Sequence, residues 1–294
     1  RGQPVTIGHH LLAYVEMLDR DAERLADARK RVNVSPLGSG ALAGSTINLD
    51  RHAIAKELEF DRPTTNSMDA IADRDYIAEF LFALSLCGAH LSRLSEDLIL
   101  WCSSEFGFAS LSDAHTTGSS ALPHKKNPDI AELARGKAAT VIGDLTGLLA
   151  LQKGLPLSYN RDLQEDKRAV FHADDVLTSA LSALTGMLET ATFDPPGPSS
   201  WVVALDLAEA LVARGVPFRD AHTAIGSLVA RLKAEGREFD SVSPGELEST
   251  HPQLIPEDLD LLDPRGSVEA RRSPRGGSFV SVSEQIDELR SQLH

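Results

Sequence analysis

Apolar side chains recur every three or four residues along most of the chain, which is the spacing of one face of an α-helix. The pattern predicts four long helices, over about Pro4–Arg31, Ser67–Ser104, Asn127–Lys153 and Gln164–Thr190. We expect Ser67 to cap the second helix and Asn127 to cap the third, with Pro128 at its first helical position.

Stretches rich in glycine and proline interrupt this pattern. Residues 35–44 read SPLGSGALAG and residues 193–198 read FDPPGP, and both should be loops. Shorter helical elements follow, near 201–214, 217–235, 244–263 and 282–293. The sequence therefore predicts an all-α fold, with a long-helix bundle over 1–194 and a small helical C-terminal domain over 195–294.

The charge and the cysteine content of the chain limit its possible partners and its location. The chain has 43 acidic and 29 basic residues, a net charge of -14, which argues against nucleic acid and anionic membranes. No run of about 20 uncharged apolar residues occurs, so we expect no membrane span. Cys87 and Cys102 lie in apolar helical sequence without metal-ligand spacing, which favours reduced thiols and a cytoplasmic location. No two histidines have HExxH spacing, so we predict no metal. We also predict no cofactor.

The polar segment 117–129, TGSSALPHKKNPD, lies between two predicted helices. Its composition fits an ordinary surface loop with a helix cap. Three features favour a catalytic role for this segment. Gly118 allows a hinge, cations such as Lys125 lie close in sequence to hydroxyls such as Ser119, and a helix N-terminus follows. Such a segment could stabilise an alkoxide or a substrate that gains negative charge.

A second polar run, YNRDLQEDK, covers residues 159–167. It could be simply the charged start of a helix. Gln164 and Lys167 are three residues apart, so a helix places them on one face, and with the phenol of Tyr159 they suit a substrate rich in carboxylates.

Two further segments have open interpretations. Arg74, in the run 66–75, could form a salt bridge with its aspartate neighbours or bind a substrate carboxylate. The glycines at 38, 40 and 44 do not have the spacing of a dinucleotide fingerprint, and no strand pattern precedes them.

Residues 118–128, which read GSS-x-x-P-x-K-x-NP, resemble the signature loop of the aspartase/fumarase superfamily, whose members release fumarate. Leu122 stands where the family usually has methionine and His124 where argininosuccinate lyases commonly have glutamine. The run 159–167 is similar to argininosuccinate lyases in particular, as are the stretches 34–44 and 66–75. The resemblance implies a fumarase/aspartase-like central bundle and a homotetramer whose active sites are shared between subunits.

The resemblance also assigns roles. It implies that Ser119 is the catalytic base, that Lys125 stabilises charge, and that Glu132 pairs with a catalytic-site histidine. The implied substrate-binding residues are Asn127, Tyr159, Gln164, Lys167 and Arg74.

The reaction implied is the reversible elimination of fumarate from argininosuccinate to give L-arginine. Adenylosuccinate lyase, fumarase and aspartase remain alternatives within the superfamily. A non-catalytic relative like the δ-crystallins and a purely oligomerising helical fragment remain alternatives from other classes.

The first residues, Arg1 to Pro4, resemble the end of a family segment that reads THxQRxQP. We therefore expect the catalytic-site histidine, an N-terminal domain and the start of the central domain to lie upstream of Arg1. On that expectation, the chain by itself is inactive.

Overall fold

The α-helices follow the apolar periodicity of the sequence. A computed structural model describes residues 2–292. Its α-helices are α1 Ile7–Val32, α2 Arg51–Glu57, α3 Ser67–Ala72, α4 Asp75–Trp101, α5 Asp129–Gln152, α6 Asp166–Thr190, α7 Ala204–Ala213, α8 Phe218–Glu235, α9 Pro244–Thr250, α10 Pro264–Glu269 and α11 Phe279–Gln292. Short 3₁₀ helices cover Asp113–His115, Arg161–Glu165, Ser200–Val203, Phe239–Ser241 and Pro256–Leu262. The predicted all-α class is confirmed.

Within residues 2–292, three pairs of two-residue strands lie between the helices. Strand β1 (Val34–Ser35) runs parallel to β2 (Arg62–Pro63), β3 (Ala109–Ser110) is antiparallel to β6 (Thr192–Phe193), and β4 (Thr117–Gly118) is antiparallel to β5 (Lys126–Asn127). The sequence did not predict them, because two residues are too few to show an alternating pattern.

Helices α4, α5 and α6 pack together within residues 14–195, which form one unit of the chain. Gly88 on α4 lies so close to α5 that an added Cβ would stand 3.6 Å from the Cα of Ala138. The apolar stripes of these helices are therefore buried against one another, which is why each is long and helical. Side chains that are almost fully buried here include Leu81, Leu98, Val141, Leu184 and Met187.

Helix α4 is the one helix in the described part of the chain that is long and apolar enough to cross a membrane. Half of its most apolar window is buried, and the helix packs against α5 and α6. Its apolar character is explained by its place inside the bundle.

The predicted helix from Ser67 to Ser104 is two helices, so that prediction was wrong in detail. Asn66, not Ser67, caps α3: its Oδ1 accepts from the backbone N–H of Met68 and of Asp69, both at 3.0 Å. The chain then leaves the helical conformation at Asp73, whose ψ is 129°. The Asp73 carboxylate accepts from the N–H of Asp75 at 2.7 Å, and this local bond competes with a continuous helix.

Other predicted boundaries also change. Asn127 lies in β5 and does not cap α5, which begins after Pro128 at Asp129. Gln164 belongs to a 3₁₀ turn that precedes α6. Helix α2 was not predicted, and α11 begins at Phe279, earlier than expected.

Glycines in residues 35–44 make a tight loop possible. Gly38, Gly40 and Gly44 have φ values of 83°, 61° and 84°, in the left-handed region that disfavours other residues. At Gly40 an added Cβ would stand 2.2 Å from the carbonyl oxygen of Gly44. Arg51 closes the loop by donating to the Leu37 carbonyl at 2.9 Å.

A second unit combines the residues up to Ala13 with those from Pro196 onward. Its core forms around α7 and α8, and Arg214 binds Asp258 through two hydrogen bonds of 2.7 Å. Buried core members include Val203, Leu207, Leu211, Leu228, Leu232 and Phe239. The predicted division at residue 194 stays a prediction.

The two cysteines are free. Cys87 is buried in α4, and burial raises the pKa of its thiol to about 11. Cys102 is half-buried at the end of the same helix, and burial raises the pKa of its thiol as well. Both are therefore thiols, not thiolates, at neutral pH.

We predict that Leu98→Ala lowers the free energy of unfolding by about 2–5 kcal/mol, because Leu98 is 0% exposed and its removal leaves a cavity. Leu100→Ala, on the same helix but 41% exposed, should change it by less than about 0.5 kcal/mol. Urea denaturation of both variants measures the difference. Equal destabilisation would contradict the assigned packing of α4.

Candidate functional site

The segment 117–129 forms a hairpin that leads into α5. Strands β4 and β5 pair Thr117 with Asn127 and Gly118 with Lys126. Beyond the strands, the N–H of Ser119 donates to the Lys125 carbonyl at 3.2 Å, which closes the loop between them. Gly118 does not have a left-handed φ, so this conformation does not require the freedom of glycine there.

The hydroxyl of Ser119 lies against backbone donors of its own loop. Its Oγ accepts from the N–H of Ala121 at 3.3 Å and from the N–H of Leu122 at 3.1 Å. Donors aimed at an oxygen favour negative charge on it. The loop can therefore stabilise an alkoxide at Ser119.

The two lysines of the hairpin have different environments. Lys126 forms an ion pair with Asp113, and Thr117 donates to Asp129, so both bonds hold the base of the hairpin. In the described part of the chain, the exposed ammonium group of Lys125 makes no hydrogen bond or ion pair. Lys125 is thus the cation that remains available to a ligand.

The start of α5 presents polar groups beside the hairpin. Asp129 and Glu132 lie in its first turn, Glu132 is exposed, and no side chain caps the helix. The half-buried side chain of Asn127 makes no hydrogen bond among residues 2–292. Uncapped N–H groups and a free amide therefore lie beside the two carboxylates of this first turn.

A second polar cluster lies where α6 begins. Gln164 donates to the hydroxyl of Tyr159, and both side chains are exposed. Lys167 donates to Asp166 Oδ1 at 3.1 Å.

Arg74 pairs with neither of its aspartate neighbours. Its Nε donates to Asp166 Oδ2 at 2.5 Å, and its Nη1 donates to the carbonyl of Asp73 at 2.6 Å. The sequence left open whether Arg74 forms a salt bridge. It forms one, with Asp166 on another helix. Tyr76 lies near these charges, and burial raises the pKa of its phenol.

The structure joins two pairs of the predicted site residues. Tyr159 is bonded to Gln164, and Arg74 is linked to Lys167 through Asp166. Across the described residues of this chain, no hydrogen bond or ion pair joins Ser119, Lys125, Asn127 or Glu132 to either pair.

Sequence reasoning missed Asp166 and His115. Asp166 is one of several charges in the run 159–167, and nothing in that run indicates that it is buried. His115 Nδ1 lies 2.9 Å from Ser112 Oγ and 3.0 Å from Thr190 Oγ1, so it ties the start of the hairpin to the end of α6. Only the histidine's position just before the hairpin could have drawn attention to it.

No group of three or more histidine, cysteine or acidic side chains is arranged to hold a metal ion within residues 2–292. The absence of a metal and of a cofactor stays a prediction.

Two family models match the chain. One, described as lyase, matches residues 1–143, and one for the C-terminal part of argininosuccinate lyase matches residues 201–269. An argininosuccinate lyase of Frankia casuarinae is 51% identical over 99% of this chain and 64% of its own length. One of Acidothermus cellulolyticus is 49% identical over 99% of this chain and 61% of its own length. The chain thus spans less than two thirds of the length of these relatives.

Solved structures share the fold. An EDDS lyase variant with bound fumarate has a TM-score of 0.87 and 28% identity, over 100% of this chain and 61% of that one. The class II fumarase of Schistosoma mansoni has a TM-score of 0.72 and 16% identity, over 90% of this chain and 58% of that one, so it shows the fold alone.

The helical bundle is that of the fumarase/aspartase superfamily. Within it, the chain belongs to the argininosuccinate lyase family.

We predict that His115→Ala loosens the hairpin, because each of its hydrogen bonds contributes about 1 kcal/mol. Trypsin should then cleave after Lys125 and Lys126 about ten- to thirtyfold faster, since cleavage follows the population of the open state. His124→Ala, an exposed histidine in the same hairpin, serves as the control and should leave the rate unchanged. Mass spectrometry of the first fragments measures both rates, and equal rates would refute the role of His115.

Proposed function

We propose that this chain contributes the catalytic serine loop and the central bundle of an argininosuccinate lyase, which splits argininosuccinate into L-arginine and fumarate. Membership of the family supports the reaction. The observation that carries the proposal is the Ser119 hydroxyl, which accepts two backbone N–H bonds on a loop that also presents the free cation of Lys125.

The proton to be removed lies on a carbon next to a carboxylate and is weakly acidic. Ser119, as the alkoxide, takes this proton, and the electron pair of the C–H bond becomes the double bond of fumarate. The C–N bond breaks, and its electrons go to the guanidino nitrogen, which takes up a proton to give arginine. Lys125 and the loop N–H groups stabilise the negative charge on the serine and on the substrate carboxylate.

Other groups bind the substrate. The unpaired amide of Asn127 at the start of α5 suits a substrate carboxylate or amine. Tyr159, Gln164 and Lys167 offer a phenol, an amide and an ammonium group, and all three side chains are exposed. The carboxylates of argininosuccinate match these donors.

Glu132 has a supporting role in the proposal. It is exposed in the first turn of α5, close in sequence to Asn127 and Pro128. We expect it to pair with a catalytic-site histidine, as the family resemblance implies. The general acid for the departing guanidino group is not assigned to any residue of this chain.

The decisive test replaces Ser119 with alanine in the complete gene product. Removing the general base should lower the kcat of fumarate release by about 10²–10⁴-fold while substrate binding is kept. Ser120→Ala, which removes the adjacent hydroxyl, should keep kcat within about tenfold. Steady-state fumarate release measures both variants, and near-normal turnover of Ser119→Ala would disprove the base assignment.

The same assay distinguishes among the candidate substrates of the superfamily. The wild-type protein should release fumarate from argininosuccinate and not from adenylosuccinate, malate or aspartate. Release from one of the others alone would reassign the substrate, and release from none would favour a non-catalytic relative.

We also propose a homotetramer whose active sites combine residues from several subunits. Helices α4 to α6 expose large apolar side chains, which a second copy could bury. They include Phe82, Leu133, Ile142, Leu149 and Phe171. Among residues 2–292 no hydrogen bond or ion pair joins the hairpin to Tyr159 or Gln164, which also favours a shared site.

Light scattering after size-exclusion chromatography tests the assembly. The wild-type chain should have four times the mass of a single chain, and Phe171→Glu should shift it towards smaller species, since Phe171 is 65% exposed on α6. Val280→Glu on α11, at 69% exposed, is the matched control and should not change the mass. A wild-type protein that stays a single chain would contradict the proposal.

A cytoplasmic location without nucleic-acid or membrane partners completes the proposal. The net charge of -14 disfavours both partners, and the two free thiols suit a reducing compartment. The packing of α4 inside the bundle leaves no need for a membrane.

A further inference from the structure

Three charged side chains meet between the α3–α4 break and the start of α6. Asp166 is the first residue of α6 and is only 3% exposed. Its Oδ2 accepts from Arg74 Nε at 2.5 Å, and its Oδ1 accepts from Lys167 Nζ at 3.1 Å. One buried carboxylate therefore joins two cations that the family resemblance assigns to the substrate.

The two cations differ in exposure. The Arg74 side chain is 14% exposed, and its Nη1 donates to the Asp73 carbonyl at 2.6 Å and to the Ile71 carbonyl at 3.4 Å. Its position is thus set by the end of α3 as well as by Asp166. The Lys167 side chain is 56% exposed, so its ammonium group can meet a ligand while it stays bonded to Asp166.

This asymmetry assigns different roles to the three residues. We propose that Asp166 is a positioning residue: Arg74 holds it from the buried side, and it holds the Lys167 ammonium at the surface where a substrate carboxylate binds. Arg74 then acts through Asp166 and does not touch the substrate. The identity of that substrate rests on the proposed function.

The arrangement also shares one negative charge between two cations. With Arg74 present, Asp166 only partly neutralises Lys167, which leaves the lysine able to attract a second carboxylate. Without Arg74, Asp166 would bind Lys167 more tightly. Without the charge of Asp166, Lys167 would be released. The two losses therefore act on Lys167 in opposite directions.

Competitive labelling of amines on the folded chain, read by mass spectrometry, tests these opposite effects on Lys167 without any enzyme turnover. Asp166→Asn should raise the labelling of Lys167, relative to exposed Lys153, about threefold or more, because the ammonium loses its partner. Arg74→Gln should lower it about twofold or more. Asp175→Asn, an exposed aspartate on the same helix, is the control and should change nothing.

Unchanged labelling of Lys167 in folded Asp166→Asn would overturn the proposal. Removing a buried charge could unfold that variant, which circular dichroism reports. In that case Arg74→Gln decides: slower labelling of Lys167 supports the proposal, and an equal or faster rate overturns it.

Kinetics of the complete gene product separate positioning from mere stability. Asp166→Asn should raise the KM for argininosuccinate about tenfold and change kcat less than about threefold, since it weakens a contact made equally in the ground and transition states. Asp166→Glu, which restores the carboxylate, should recover part of the KM. A fall in kcat at unchanged KM would overturn the proposal.

The two proposals fail separately. If the wild-type protein releases no fumarate from argininosuccinate, the proposed function is refuted. The labelling of Lys167 still decides whether Asp166 positions that lysine.

Discussion

Close packing of α4 against α5 is the constraint on which the rest of residues 14–195 depends. Gly88 leaves room for the backbone of α5 at Ala138, and Ser85 donates to the Val141 carbonyl at 3.3 Å across the same interface. Ala131 and Ala134 extend the row of small buried residues along α5. Small side chains let two long helices approach closely, and the dispersion attraction summed over their length makes the pair rigid.

A rigid bundle gives its helix ends defined positions, and the candidate chemistry lies there. The Ser119 hairpin ends at the first turn of α5, and Tyr159 and Gln164 precede the first turn of α6. Helix starts carry free N–H groups and partial positive charge, so they suit an anionic substrate. Short connecting segments held by rigid helices can vary in chemistry without disturbing the core.

The fold by itself does not specify the substrate. The bundle is shared with a class II fumarase at 16% identity and with an EDDS lyase at 28% identity. Many sequences can therefore satisfy the packing of this bundle, so the fold alone does not determine the function. Here a buried carboxylate, Asp166, connects two of these ends and sets which cation faces solvent.

The sequence alone determined the helical class, the approximate places of the long helices, the polar segment 117–129 and the family resemblance, because apolar periodicity and short motifs are local properties of the chain. It did not determine the break at Asp73, the strand pair that closes the hairpin or the partner of Arg74. Each of these features depends on hydrogen bonds or ion pairs whose strength is set by the surrounding structure. Two-residue strands are too short to show an alternating pattern in the sequence. A charged residue such as Asp166 looks the same in the sequence whether it is buried or exposed. Only the tertiary structure placed that carboxylate out of water, where it must find cationic partners, and so decided that Arg74 faces inward and Lys167 outward.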